Sequence, residues 1–325
     1  MSIPRNLSQL ADNYDPSTGL AFSGQFDSAS TFAFKNRFIN GQMQVAQRGT
    51  SGTSGAAVPT TAPTYPSVDR WYAYATGATV TVAQVAGTGA IKNNLQVSGA
   101  ASVTAVGVGQ RIEQLNCYDL AGSTCTLSVN MSNSLLTTVT WTASYATSAN
   151  TWSAKTQIAT GTFTVTSTLT NYSAQISVPA AATTGIEILF TVGAQTSGTW
   201  VIGNAQLEKS SVATTFDYRP FGTELALCQR YCVVFALNTF FGTATLRTSG
   251  TSFYGLIPTT VPMRSSPTPT GTTTIYVGDT SNNTTVTYTI NGATLTGSGS
   301  MTTVGSNGQC GLLYATTANV LNSEL

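Results

Sequence analysis

The chain alternates apolar and polar residues over short stretches. In residues 125–131, 139–145 and 186–192 the apolar side chains occupy every second position, and most of the positions between them are Thr or Ser. Side chains that alternate with a period of two lie on one face of a β-strand. Such stretches recur at roughly the 8–12-residue spacing of a sandwich or jelly roll, without long helical patterns between them. The pattern predicts an all-β protein.

The same pattern divides the chain into parts. Residues 1–34 lack sustained alternation, and we expect an extended arm that cannot fold alone. The first set of strands fills residues 35–220, for which we predict a jelly-roll β-sandwich. A new set follows, which predicts a smaller C-terminal β-sandwich over residues 221–325. Residues 49–66 are rich in Gly, Pro and Thr and are predicted to form a long surface loop.

The composition excludes several classes of protein. Charged residues make up only 8% of the chain, and 13 Lys and Arg against 12 Asp and Glu leave a formal net charge of +1, so no basic surface indicates a nucleic-acid partner. The content of aromatic residues argues against disorder. We find no signal-peptide pattern and no apolar run of the roughly 18 residues that a membrane span needs. We therefore expect a soluble chain without membrane insertion.

The chain contains no histidine, which removes the commonest general base and the usual ligand for transition metals. Glycoside cleavage needs two carboxylates across a cleft. In the first domain only Glu113, Asp119, Glu187 and Glu208 could supply them. Each also has a structural explanation: Glu113 follows Arg111 at strand spacing, Asp119 opens a turn, Glu187 lies on an outward strand face, and Glu208 belongs to the domain junction. We therefore expect no enzymatic activity and no cofactor.

Two pairs of cysteines are close in sequence. If residues 120–122 form a hairpin loop, Cys117 and Cys125 face each other on antiparallel strands, near the distance that a disulfide spans. The alternative, which we favour for a protein assembled in a reducing cytoplasm, is that both are small buried apolar residues. Cys228 and Cys232 have the spacing of one helical face, but without a further ligand nearby we expect no metal site.

Charged residues concentrate where the two predicted domains meet. Charge pairs and aromatic rings there could fix the orientation of one sandwich on the other, and we favour this role over a ligand site. Residues 223–231 could form a short helix with Thr223 as its N-cap. The predicted junction residues are Glu208, Asp217, Arg219, Glu224 and Arg230.

Several motifs appear together in a fixed order. They are "NRFINGQMQVAQRGTS" and "YPSVDRW", "RIEQL" and "DLAGSTCTLSV", the long stretch "WVIGNAQLEKSSVATTFDYRPFGTELALCQRYC", and "VPMRSSPTPT". Over residues 36–275 the chain resembles a family of bacteriophage tail-fibre and related virion proteins. Its central module is similar to the galactose-binding-like jelly roll of carbohydrate-binding modules. The chain departs from the family at Ala46 and Cys232, where members tend to carry aromatic residues.

The resemblance implies a virion appendage protein, assembled in the host cytoplasm, that is structural or binds the host. It implies a homotrimer, attachment to other virion proteins through residues 1–34, and host cell-surface polysaccharide as the ligand. An alternative is a purely architectural virion component, such as a head decoration or tail adaptor, without host contact. A polysaccharide depolymerase is a lesser alternative.

We would then expect residues 233–325, the part of the chain least like the family, to recognise the host. Aromatic rings stack on the apolar faces of sugars, and amides bind the hydroxyl groups. Tyr254 and Phe241 are our preferred exposed rings because each adjoins a glycine, which would let a ligand approach the backbone. Trp71 in the motif "DRW" is expected in the core rather than as a sugar platform. The other candidates are Phe240, Phe253, Tyr276, Asn282 and Asn283.

Overall fold

The structure of the protein is a computed structural model. It describes residues 14–15, 20–21, 34–49, 51–54, 64–89, 91–247, 252–271, 273–277, 284–286, 289–291, 296–298 and 310–325. Most of the predicted arm, the tip of the predicted surface loop, and Asn282 and Asn283 lie outside these residues. Within them no helix is long and apolar enough to cross a membrane.

The part of the chain up to Glu208 is built almost entirely of antiparallel strands, as predicted. Two 3-10 turns, Gln114–Asn116 and Tyr118–Leu120, follow the seventh strand. The strands are β1 (Tyr14–Asp15), β2 (Leu20–Ala21), β3 (Ser51–Ser54), β4 (Tyr72–Thr76), β5 (Val80–Ala86), β6 (Asn93–Ser98), β7 (Ala105–Ile112), β8 (Thr124–Asn133), β9 (Thr138–Ser148), β10 (Thr151–Thr164), β11 (Thr170–Ser177), β12 (Ile186–Val192) and β13 (Thr199–Glu208).

Eleven of these strands form the two sheets of a jelly-roll sandwich. One sheet has five strands in the order β10-β9-β12-β7-β4, and the other has six in the order β11-β8-β13-β6-β5-β3. The two inner faces share one apolar core, and in it Trp71 and Trp200 are completely buried. The indole Nε1 of Trp71 donates to the backbone oxygen of Asn40 at 3.0 Å. Trp71 is thus a core residue, as its sequence position indicated.

An irregular segment, residues 36–45, lies along the edge of the sandwich and forms hydrogen bonds with its last strand, β13. Arg37 N donates to Leu207 O at 2.8 Å, and Ala205 N donates to Gly41 O at 3.0 Å. Buried asparagines satisfy the backbone groups that the irregular path leaves without strand partners. One of them, Asn40, donates from Nδ2 to Val45 O at 2.8 Å. This segment brings its backbone oxygens next to the domain junction.

The C-terminal part begins with a helix and continues as strands. Its two sheets are ordered β14-β23-β17 and β19-β18-β22-β15-β16-β21-β20. The described residues thus confirm the all-β class with a smaller C-terminal sandwich, although the predicted domain limits remain a prediction. The elements are α1 (Phe221–Gln229), β14 (Cys232–Phe235), β15 (Phe240–Arg247), β16 (Ser252–Leu256), β17 (Thr268–Thr270), β18 (Thr273–Val277), β19 (Thr284–Val286), β20 (Thr289–Asn291), β21 (Thr296–Ser298), β22 (Cys310–Ala315) and β23 (Asn319–Asn322).

Three local predictions are wrong. Residues 51–54 of the predicted loop form the edge strand β3, since backbone pairing with β5 needs no particular side chain. Cys117 lies between the two 3-10 turns rather than on a strand opposite Cys125, because β7 and β8 belong to different sheets. The helix is confirmed, but it begins earlier than predicted: its N-cap is Pro220, with no side-chain cap, and not Thr223.

Candidate functional site

The outer face of the five-stranded sheet carries one tyrosine ring beside a row of threonines. Neighbouring residues on β4, β7, β12, β9 and β10 lie directly opposite one another in register, so their side chains share a face. With strands about 4.8 Å apart, this row of five residues spans about 19 Å. Its members are Tyr74, Gly107, Thr191, Thr140 and Thr162.

Tyr74 lies at the β4 edge of this row and is partly exposed. Its neighbours Ala73 and Ala75 point into the core, which directs the Tyr74 ring outward. A side chain at Gly107 would overlap the ring, so the glycine lets the tyrosine lie against the next strand. Burial, with a smaller effect from Glu187, raises the pKa of the phenol above its usual value. The hydroxyl therefore stays protonated at neutral pH and can donate a hydrogen bond.

A second, parallel row supplies more hydroxyl groups and an apolar floor. Thr142 and Thr160 lie opposite each other, with their Oγ1 atoms 3.2 Å apart. Leu189 continues the row on β12, opposite Thr142 on one side and Gly109 on the other. The two rows together form the open face, which we define as Tyr74, Leu189, Thr140, Thr142, Thr160, Thr162 and Thr191.

The last residues of the chain cover the remainder of the sheet and bound the open face on one side. Arg111, on the same outer face, donates to the backbone oxygen of Leu325 at 2.9 Å and from Nε to Glu187 at 3.0 Å. Lys155 also pairs with Glu187. Glu187 points outward as predicted, yet it is only 1% exposed, and its carboxylate pairs with both Arg111 and Lys155. The open face thus ends beside these charge pairs.

The charged residues at the predicted junction do form a network, but most of their partners are elsewhere in the chain. Arg219 pairs with Glu224 at 3.2 Å and donates to Phe38 O at 3.0 Å. Glu224 in turn accepts a hydrogen bond from Asn40 N. Burial raises the pKa of the Glu224 carboxyl, and the Arg219 charge opposes that rise. Helix α1 is thereby held against the irregular segment 36–45.

A second pair fixes the end of the helix to the sandwich. Arg230 donates to the carboxylate of Glu113 from two nitrogens, with N–O distances between 2.9 and 3.2 Å, and the Tyr231 hydroxyl donates to the same carboxylate at 2.8 Å. Glu208 accepts from Thr214 N at 2.8 Å, inside the connection between the domains. These contacts hold the sandwich, the connection and the helix together.

The last of the predicted junction residues, Asp217, also contacts the irregular segment. Its Oδ2 accepts a hydrogen bond from Asn36 N at 3.3 Å. All five predicted residues thus contact the irregular segment, the sandwich or the connection between the domains, and their role in fixing the orientation stays a prediction.

The four carboxylates considered for catalysis are each held by a partner. Glu113 binds Arg230, Glu187 binds Arg111, and Asp119 pairs with an arginine of the irregular segment at 2.6 Å. Glu208 accepts hydrogen bonds from Thr214. The described residues include no group of three side chains able to hold a metal ion.

The rings predicted to bind sugar separate into different environments. Phe241 is 6% exposed and stacks on Phe235 with ring centroids 4.7 Å apart, so the prediction that it is an exposed platform is wrong. Its neighbour Phe240 points the other way, is 56% exposed and contacts the ring of Tyr314. For Tyr254, Phe253 and Tyr276 the structure describes only the strand backbone, and a carbohydrate site there stays a prediction.

Cys117 and Cys125 are both buried free thiols, which agrees with the packing role that we favoured over a disulfide. Burial raises the pKa of Cys117 to about 12. Cys228 and Cys232 are free and buried as well, and burial raises the pKa of Cys232 to about 12. We therefore expect these thiols to be protonated and unreactive in the folded protein.

Sequence reasoning missed the open face. The threonines were noticed only as the polar half of an alternating pattern, and Tyr74 was not considered. A signal existed, because Tyr72 and Tyr74 have the spacing of one strand face, as do Gly107 and Gly109 in "VGVGQ". Pairing these two stretches requires the sheet register, which the sequence alone does not provide.

Comparisons with known proteins give weak likenesses to solved structures. A carbohydrate-binding module of the CBM4 type has 13% identity and a TM-score of 0.37, over 53% of this chain and 98% of the module. A family 16 carbohydrate-binding module has 19% identity and a TM-score of 0.29, over 39% of this chain and 84% of the module. The enzymatically active domain of tailspike protein 4 from bacteriophage CBA120 has 17% identity and a TM-score of 0.33, over 54% of this chain and 21% of that one.

No protein-family model and no curated protein matches the chain. The three structural likenesses have low identity and TM-scores below 0.5. We base no functional conclusion on them.

Proposed function

We propose that this is a non-enzymatic glycan-binding protein and that the open face of its five-stranded sheet is the binding site. The observation that carries the proposal is the row that sets the Tyr74 ring beside the hydroxyl groups of Thr191, Thr140 and Thr162. Sugar rings offer apolar C–H faces that stack on aromatic rings, and their hydroxyl groups exchange hydrogen bonds with polar side chains. The open face combines both kinds of contact on a rigid sheet.

The charge of the open face selects the class of glycan. Its seven residues are all uncharged, and beside it Arg111 and Lys155 both pair with the carboxylate of Glu187. The seven residues themselves offer no counter-charge to a charged polymer. The open face therefore favours a neutral polysaccharide, and its length of about 19 Å suits several consecutive sugar units.

Affinity gel electrophoresis against a panel of neutral polysaccharides tests this function. We expect at least one polymer, among xylan, β-glucan, galactan and mannan, to retard the native protein. Thr140→Arg places a bulky charge in the middle of the open face and should abolish the retardation. Ser173→Arg is the matched control, because Ser173 is an exposed position on a strand of the other sheet. No retardation by any polymer, or equal retardation of both variants, would contradict the proposal.

The virion role is a further part of the proposal. Its support is the ordered set of motifs over residues 36–275, which resembles phage tail-fibre and related virion proteins. In this role residues 1–34 attach a homotrimer to the particle, and the β-domains face the host cell surface. Immunogold electron microscopy of particles should locate the protein on an external appendage, and light scattering should give a trimer. Absence from the particle, or a monomer at micromolar concentration, would contradict this part.

The architectural alternative also has an observation in its favour. The Arg230–Glu113 pair joins the end of helix α1 to the sandwich, and a structural adaptor would need such a contact to keep a fixed orientation. The two functions differ in one outcome: an adaptor stays on the particle without binding any polysaccharide or host surface. A depolymerase would in addition release reducing ends from the polymer that it binds, and we expect none because the four carboxylates of its candidate set are held by partners.

A further inference from the structure

A cavity lies at the domain junction, separate from the open face. It is a cavity of about 210 Å³ between the irregular segment, the first 3-10 turn and helix α1. This volume is below the usual range of roughly 300–1,000 Å³ for ligand pockets, so it can hold one small ring but not a polymer. Its walls include Phe34, Arg37, Leu115, Asn116, Arg219 and Leu227.

Two arginine side chains line this junction cavity. Arg37 and Arg219 both line it, whereas their acidic partners, Asp119 and Glu224, do not, and none of the described lining residues is acidic. Arg37 is the more adaptable of the two, with a quarter of its side chain exposed and a single ion pair to Asp119 at the surface. Two guanidinium groups facing one small cavity favour an anion.

Each of the two guanidinium groups also has one buried donor without an acceptor among the described residues. The Nε–H groups of Arg37 and Arg219 are buried and find no acceptor in the described part of the chain. Leaving a buried donor without an acceptor is unfavourable, and a donor on a charged group costs more. A carboxylate bound in the cavity would bring two strong acceptor oxygens to these side chains.

Two of the other lining residues are apolar and exposed to solvent. Phe34 is 56% exposed and Leu115 is 66% exposed, and both line the cavity. The guanidinium of Arg219 lies 5.5 Å from the centroid of the Phe34 ring, which keeps the ring beside the positive charge. An apolar ring next to a cation fits a ligand with a C–H face on one side and a carboxylate on the other.

We propose that the junction cavity binds a single acidic sugar, a hexuronate. Its carboxylate is bound by Arg37 and Arg219, its apolar ring face lies on Phe34 and Leu115, and its hydroxyl groups reach the amide of Asn116. This site differs from the open face in place and in ligand charge.

Isothermal titration calorimetry of the full chain with galacturonate and with galactose tests the proposal, because the two sugars differ only in the oxidation state of carbon 6. We expect saturable binding of galacturonate and binding of galactose at least about tenfold weaker, the factor that one lost charged hydrogen bond implies. Arg37→Gln should weaken the binding of galacturonate by a similar factor. Asp119→Asn is its control: it removes the same ion pair but leaves the guanidinium, and it should bind galacturonate at least as well as the native protein.

A second pair of variants does not depend on any ion pair. Leu115→Glu puts a negative charge at the mouth of the cavity and should weaken the binding of galacturonate. The protein with the uncharged Leu115→Gln substitution should bind galacturonate with near-native affinity. Leu115 is exposed, so neither change threatens folding. Tyr74→Ala should leave galacturonate binding unchanged, which separates this site from the open face. Equal affinity for the two sugars, no binding, or equal affinity of Arg37→Gln and the native protein would overturn the proposal.

Discussion

The side chain of Arg230 reaches from the end of helix α1 to the carboxylate of Glu113 at the end of strand β7, and joins residues that are 117 positions apart. Glu113 is 4% exposed, and its Oε2 also accepts a hydrogen bond from the Tyr231 hydroxyl. A bidentate arginine–carboxylate pair fixes the relative direction of the two side chains as well as the distance between them. We therefore expect this pair to set the orientation of the C-terminal part on the sandwich.

Removing this pair should therefore destabilise the protein. We expect Arg230→Gln to lower the free energy of unfolding by about 1–3 kcal/mol, because it leaves the buried Glu113 carboxylate with fewer donors. Chemical denaturation measures the change. The double variant Glu113→Gln/Arg230→Gln should recover part of the loss, since no buried charge is then left unpaired. A single variant as stable as the native protein would show that the pair does not fix the junction.

Glu224 should make the stability depend on pH in a definite direction. Burial, opposed by Arg219, raises its pKa in the folded protein above 4.5. A carboxyl whose pKa is higher folded than unfolded stabilises most below the unfolded pKa, and this contribution is lost as pH rises through the folded pKa. The free energy of unfolding of the native protein minus that of Glu224→Gln should fall as pH rises from about 4 towards neutrality. A difference that grows with pH would mean that Arg219 and Asn40 outweigh burial.

The four described thiols should resist alkylation. Cys117, Cys125, Cys228 and Cys232 are buried, and burial raises the pKa of Cys117 and of Cys232 to about 12. In a Cys310→Ser background we expect iodoacetamide to label no cysteine of the native protein near pH 8, and all four after unfolding. Mass spectrometry counts the labels. Rapid labelling of any of the four in the folded state would contradict their placement.

Phe240 and Phe241 provide a matched pair in the C-terminal part. Phe241 is buried on Phe235, and truncating a buried phenylalanine to alanine costs about 3–5 kcal/mol. Phe240 is exposed and mainly meets Tyr314, so Phe240→Ala should cost about 1 kcal/mol or less. Thermal unfolding of the two variants compares them. Equal destabilisation would show that the two rings do not point in opposite directions.

The sequence allowed us to predict those features of the fold that depend on local residue patterns. Alternation in residues 125–131, 139–145 and 186–192 identified strands whose inward residues are buried, except for the half-buried Tyr145. It missed β3, because an edge strand needs only its backbone groups to pair. It placed Cys117 and Cys125 in one hairpin because nothing in the sequence shows that the chain passes from one sheet to the other between them.

The candidate site was less predictable for the same reason. The junction charges are recognisable because they are rare in this chain, but their partners Asn36, Phe38 and Glu113 come from more than 100 residues away. The open face exists only once five strands are in register. Single residues such as Tyr74 carry no mark of it in the sequence.

The affinity of Tyr74 variants for the polysaccharide that retards the native protein tests the central claim most directly. Stacking needs the ring and not the hydroxyl, so Tyr74→Phe should keep the dissociation constant within about threefold, while Tyr74→Ala should raise it about tenfold or more, as the loss of 1–2 kcal/mol of ring contact implies. Isothermal titration calorimetry gives both values, and circular dichroism checks that the variants are folded. Unchanged affinity in a folded Tyr74→Ala protein would contradict glycan binding at the open face.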